Sequence, residues 1–169
     1  MSKDTHTSHS DLAVFLPDTQ SAFIGLQLEG LVEQITNDSS AYLQQHGFKT
    51  PALAVSSLLQ LWKRGPVSLA DLARAYDRPH QLIAIRLKML EANGLAYRAT
   101  DTEDKRRKLI HLTDLGQEEA GRLWSFSLSL ADAVNDLYQE IGVNLTTVAK
   151  EAANALHAKP LTARMQAPL

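Results

Sequence analysis

The chain contains no cysteine, which excludes disulfides, thiolate zinc sites and any sensor that works by thiol oxidation. Nowhere in its 169 residues does an uninterrupted apolar run approach the roughly 18 residues that a spanning helix needs. Residues 1–10 are polar where a secretory leader would be apolar, so the expected compartment is the cytoplasm, with no membrane partner. A Gly-rich phosphate loop, a G-x-S-x-G elbow and an H-E-x-x-H pair are all missing, and an enzyme is therefore not expected. The histidines His6, His9, His46, His80, His111 and His157 are scattered. They suggest no metal site, and no cofactor is implied. The neighbouring carboxylates Glu118 and Glu119 read as the surface of a helix.

What is present is ordinary globular composition, with 44% hydrophobic and 21% charged residues, enough for one domain with a real core. The formal net charge of -2 conceals an uneven distribution. Between Trp62 and Lys108 there are eleven Lys and Arg against six Asp and Glu, a local net of +5, whereas the remainder carries six against thirteen, a net of -7. One basic stretch inside an acidic protein is what a surface for phosphate requires when the rest must avoid it.

Hydrophobic spacing divides the chain into helices and one hairpin. After a polar arm, Asp18 is a candidate N-cap for a helix in which Ile24, Leu28, Leu31 and Ile35 recur at helical spacing, widened by Phe23, Leu26 and Val32. Thr50-Pro51 starts a second helix through Leu58, Leu61 and Trp62, stopped by Gly65-Pro66. Ser68 and Asp71 form a capping-box pattern ahead of Leu69, Leu72, Ala73 and Tyr76. A tight turn at Asp77-Arg78 follows, and Pro79 opens a helix with Ile83, Leu87 and Leu90 on one face, ending at Asn93-Gly94. Residues 95–100 and 107–112 are strand-like, and the charged loop between them is a candidate wing. Thr113 caps a long helix carrying Leu123, Phe126, Leu130, Val134, Leu137 and Ile141. Asn144 caps a last one with Leu145, Val148, Ala152 and Leu156, and the chain after Pro160 reads as a tail.

Three motifs lie at a helix end, a wing tip and a helix start: LEANGL at residues 90–95, D-x-x-D-K-R at 101–106 and LTDLG at 112–116. In content and spacing the run over residues 67–116 resembles the MarR family of bacterial regulators. The fold this implies is mainly α with a small β-hairpin: a winged helix-turn-helix plus a helical dimerisation region. The expected organisation is a flexible N-terminal arm over residues 1–17, a single domain over 18–160 and a tail over 161–169. Within the domain the winged helix-turn-helix covers about 50–113 and the dimerisation helices about 18–46 and 114–158. The resemblance implies a homodimer that binds double-stranded DNA at a pseudo-palindromic operator and regulates transcription, with repression as the expected output. A helix fits the major groove and a charged hairpin reaches the adjacent minor groove.

The family's wing arginine maps onto Arg106, flanked by Lys105 and Arg107, and Asp104 is expected to brace the loop by pairing with Arg98 or Arg107. On the recognition helix a helical wheel turns Gln81, Ile85 and Lys88 outward, with Leu82 and Ala84 beside them. Gln81 suits an adenine edge, Ala84 or Ile85 a thymine methyl, and Arg86 and Lys88 phosphates. Ser68 and His80, at the starts of the motif's two helices, complete the expected DNA-binding set. This face is unusually apolar, so the alternative is a winged-helix module that binds protein without sequence-specific DNA contact. Phe23, Tyr42, Phe48 and Trp62 fall on the first two helices, where the family often has a pocket for a small-molecule effector; simple core packing is the competing reading.

Overall fold

A computed structural model of the chain describes residues 17–165. The arm expected over residues 1–17 lies outside the described residues but for its last position, as do His6 and His9. Two compact units are present, Met1–Gly121 and Arg122–Leu169.

The first unit starts with a 3-10 turn, Pro17–Phe23, which leads into helix α1, Ile24–Gln45. The expected cap at Asp18 is therefore displaced: α1 begins after Phe23, without a side-chain cap. A second 3-10 turn, Ala52–Ala54, separates Pro51 from α2, Val55–Arg64. Strand β1, Val67–Ser68, precedes α3, Leu69–Tyr76, and α4 follows as His80–Ala92. Strands β2, Ala96–Thr100, and β3, Lys108–Leu112, form the hairpin. The sheet is antiparallel in the order β1-β3-β2, with Val67 opposite Ile110 and Arg98 opposite Ile110 from the other side. β1 escapes sequence reading because two residues carry no alternation.

Local chemistry explains the boundaries. The Ser68 hydroxyl accepts the Asp71 amide at 3.1 Å and donates to the Asp71 carboxylate at 2.7 Å, so α3 is capped at once by both groups. Asp77 closes the helix in the left-handed region, φ 50°, a conformation that aspartate tolerates better than most residues. LEANGL is a Schellman ending: Leu95 N–H donates to Leu90 O at 2.9 Å and Gly94 N–H to Glu91 O at 3.0 Å, with Gly94 at φ 68°. Leu90 and Leu95 are both fully buried, the hydrophobic contact that accompanies such a cap.

Leu58, Leu61, Leu72, Ile83, Leu87, Leu90, Leu95 and Ile110 make the core of this unit. Each contributes roughly 1.5–3 kcal/mol by leaving water, and together they hold α4 and the hairpin to one scaffold. Helix α5, Asp114–Ile141, starts in this unit. Its junction with β2 is tight: Thr113 N–H donates to Leu95 O at 3.0 Å, Thr113 Oγ1 donates to Gly94 O at 2.7 Å, and Gly116 N–H donates to Thr113 Oγ1 at 3.0 Å. A Cβ at residue 116 would collide with the Leu95 carbonyl, so LTDLG ends in glycine for reasons of space.

Contrary to the surface reading of both carboxylates, Glu119 is buried and only Glu118 is exposed. The Glu119 Oε1 atom accepts the Thr50 amide at 2.6 Å and the Thr50 hydroxyl as well. Helix periodicity places a residue on a face, but only a partner 69 positions away explains why a carboxylate belongs there.

The second unit comprises the rest of α5, then α6, Leu145–Ala158, and α7, Leu161–Arg164. Asn144 caps α6 by accepting the Thr147 amide at 2.9 Å. The short α7 replaces part of the expected tail, held by Arg164 donating to the carbonyls of Lys159 and Ala155 at 2.9 and 2.8 Å. Leu123 and Phe126 are buried, whereas α6 has no buried residue and leaves Val148 and Leu156 exposed.

Candidate nucleic-acid interface

Helix α4 divides into a buried row, Ile83, Leu87 and Leu90, and an exposed stripe containing His80, Gln81, Ile85 and Lys88. Leu82 lies on the exposed side too, while Ala84 and Arg86 are half-buried. The Arg86 charge acts on the Tyr76 phenol of α3. Burial pushes the Tyr76 hydroxyl above its ordinary pKa, and the hydroxyl donates a hydrogen bond to Ser56 O at 2.6 Å. That bond ties α3 to α2 behind the reading face.

The wing is built by two aspartates that fold their own loop. Asp101 Oδ1 accepts the Glu103 amide and Asp104 Oδ1 the Arg106 amide, each at 3.0 Å. This is the Asx geometry that turns favour. Asp104 thus braces the loop through backbone rather than through Arg98 or Arg107, as the sequence reading expected. Arg98 instead pairs with Glu91 of α4 at 2.6 Å, and Arg107 with Asp71 of α3 at 2.8 Å. Strand β2 and the residue just ahead of β3 are in this way pinned to the helix-turn-helix.

Asp71 is the centre of this arrangement. Its carboxylate accepts from Ser68 Oγ, Arg107 Nη2 and Arg74 Nη1, the last at 3.1 Å. The Ser68 hydroxyl foremost, then Arg107 and Arg74, hold its pKa below the ordinary value despite opposing desolvation. Two members of the expected DNA-binding set, Ser68 and Arg107, are consequently engaged inside the protein. Lys105 and Arg106 are exposed at the wing, and the Arg106 guanidinium makes no ion pair among the described residues.

Two cations were missed in the sequence. Arg74 and Arg78 are exposed and, with His80, line a cleft of about 450 Å³ around the turn between α3 and α4, with Ala70, Ala73, Asp77 and Pro79 as its other walls. The signal available was Arg78 directly before the helix-opening Pro79.

Of the four aromatics named for an effector pocket, Phe23 lies on the first 3-10 turn, Tyr42 on α1, Phe48 on the loop that follows α1 and Trp62 on α2. Phe48 lines a cleft of about 340 Å³ with Thr36, Leu43, Lys49 and Pro51 among its walls. Phe23 is exposed on the first 3-10 turn, Tyr42 stacks on His46 at 3.9 Å, and Trp62 lies beneath the Lys63 ammonium at 4.4 Å. Among the described residues no three potential metal ligands gather, and no helix is long and apolar enough to cross a membrane.

Comparison with known proteins gives a consistent set of likenesses. The HTH-type transcriptional regulator YkoM of Bacillus subtilis is 30% identical over 122 residues, which span 72% of this chain and 77% of that protein. A MarR transcriptional regulator from Methanosarcina mazei has the same fold, with a TM-score of 0.58 at 15% identity, over 81% of this chain and 99% of the other. MepR of S. aureus, in a complex with DNA, superposes with a TM-score of 0.60 at 21% identity, over 76% and 97% of the two chains. No family model matches the chain.

Proposed function

Because the chain belongs to the MarR family of winged helix-turn-helix transcriptional regulators, we propose that it acts as a homodimer, each copy reading one half of a pseudo-palindromic operator. The observation that carries this is the pairing, within one unit, of the exposed α4 stripe with a cation-bearing wing that Asp71 and Glu91 hold in place. Gln81, Ile85 and Lys88 supply base and phosphate contacts in the major groove, and Arg106 enters the adjacent minor groove, where narrow A·T-rich stretches concentrate negative potential. Arg107 serves as the bolt of the wing. Arg74, Arg78 and His80 add backbone contacts beside the recognition helix. The protein is a binding protein rather than an enzyme, and repression by occupancy is the simplest output of such a site.

Dimerisation is supported in each unit separately. On α1 the side chains of Ile24, Leu28, Leu31, Val32 and Ile35 are exposed, and on α6 so are Val148 and Leu156. Apolar faces of this extent are normally covered by a second copy. An effector that binds the cleft at Phe48 regulates only by differing in affinity between the DNA-competent and incompetent dimers.

Selection of random duplexes at moderate salt tests the whole reading. Enrichment of a two-fold repeat, bound with an affinity that falls steeply with salt, is expected. Failure to enrich any duplex, or a flat salt response, refutes it and favours the protein-binding alternative.

A further inference from the structure

We propose that α4 reads thymine by its methyl group, with Ile85 and Leu82 as the specificity-determining side chains. The proposal rests on the DNA-binding reading above and names which base edges the face selects. Ile85 is 53% exposed and Leu82 38%, on a helix whose Ile83, Leu87 and Leu90 fill the core. Among the described residues nothing accounts for a β-branched aliphatic side chain at position 85. It packs inside no core, and a β-branched residue is a poorer helix former than the straight-chain polar residues usual on a solvent face.

The occupant follows from what surrounds these two side chains. Gln81 and Lys88 share the stripe with Ile85, His80 and Arg78 stand exposed at the start of the helix, and Lys105 and Arg106 lie on the wing of the same unit. A cation-rimmed surface complements a polyanion. Two aliphatic side chains also make a much smaller patch than the several hundred Å² that mark a protein-docking face. In the major groove the one apolar group on the base edges is the C5-methyl of thymine. Set against a methyl, Ile85 gains contact; set against guanine, cytosine or adenine it buries a polar edge without a hydrogen bond, and that penalty is the discrimination. Residues 82 and 85 are three apart on a helix, with Cβ atoms about 5–6 Å from one another. Base pairs rise about 3.4 Å per step, so the two side chains address thymines one or two steps apart.

The test uses the full chain and the operator enriched from random duplexes, resynthesised with deoxyuridine at one thymine at a time. This removes the methyl and preserves base pairing. Expected is a loss of about fourfold per methyl at one or two positions in each half-site, the factor that corresponds to one buried CH₂. Ile85→Ala or Leu82→Ala should bind the thymine and uracil versions of its own position equally. Both side chains are exposed, so the variants should melt with the parent, and the deoxyuridine scan of the parent stands without them. An operator that is enriched and bound salt-dependently, yet indifferent to every deoxyuridine, overturns methyl reading and leaves DNA binding intact. No enrichment from random duplexes overturns both.

Discussion

Replacing Glu119 by alanine should cost the protein a large part of its stability without touching a DNA contact. Thr50 and Glu119 are each 3% exposed, and one carboxylate oxygen accepts both the amide and the hydroxyl of Thr50. Removing the carboxylate orphans two buried donors, each worth about 1–3 kcal/mol when left unpaired. The hydroxyl can rotate towards another acceptor but the amide cannot, so the expected loss is about 2–5 kcal/mol, against a typical total of roughly 5–15 kcal/mol. For a chain of this size that lowers Tm by about 4–20 °C. Glu119→Gln retains an oxygen that can accept both bonds and loses only the charge assistance, which places it between the parent and Glu119→Ala. Thermal and urea unfolding by circular dichroism measure all three, and a cycle with Thr50→Val isolates the hydroxyl bond to the carboxylate, since the residue 50 amide is unchanged: its coupling should exceed about 0.5 kcal/mol. If Glu119→Ala melts with the parent, the buried carboxylate does not hold the segment ahead of α2 to α5 and the argument fails.

Arg106→Ala should leave Tm unchanged, since among the described residues Arg106 is held through its backbone amide and its guanidinium makes no ion pair, while weakening operator binding by roughly 1–3 kcal/mol per half-site; equal affinity in a competition assay would contradict the wing contact. Asp71→Asn should destabilise the protein at neutral pH by removing a carboxylate whose pKa is lowered in the fold. Because a depressed folded pKa stabilises above the unfolded value and that stability disappears as pH falls through the folded one, the gap between Asp71→Asn and parent should close in acid below the ordinary carboxylate range. A gap that is constant with pH would rule this out. Leu28→Glu, at a side chain 53% exposed on α1, should convert the dimer to a folded monomer that no longer protects the operator, because an unpaired charge at a two-fold interface is buried twice. Sedimentation of an intact dimer would count against α1 as the interface.

Short-range chemistry was the legible part of this chain. Ser68, Thr113 and Asn144 cap helices where their position ahead of an apolar repeat suggests, and Gly94 terminates α4 where LEANGL ends. The division of α4 into buried Ile83, Leu87 and Leu90 and exposed Gln81, Ile85 and Lys88 follows from a period of 3.6. What escaped depends on partners distant in sequence. Arg107 meets Asp71 across 36 positions and Glu119 meets Thr50 across 69, and no local pattern distinguishes those side chains from solvated neighbours. The two 3-10 turns, of seven and three residues, were missed for a different reason, since a short 3-10 segment at the edge of a helix has almost the same apolar spacing as the helix itself.

The junction of Leu95, Thr113 and Gly116 bears on how the reading head could be moved between proteins. A hairpin cut at the ends of β2 and β3, Ala96 and Leu112, would leave this whole junction behind: the Thr113 amide on Leu95 O, and Thr113 Oγ1 between Gly94 O and the Gly116 amide, all lie just outside the cut. The recipient helix would also have to present a residue without a Cβ where the strand passes, because a side chain at 116 meets the Leu95 carbonyl. The smallest transplantable piece is therefore neither the wing nor the recognition helix but the whole run from the Schellman ending of α4 to the first turn of α5. In modular terms, the sequence segment that carries the family's motifs is also the segment that has to be inherited as one block.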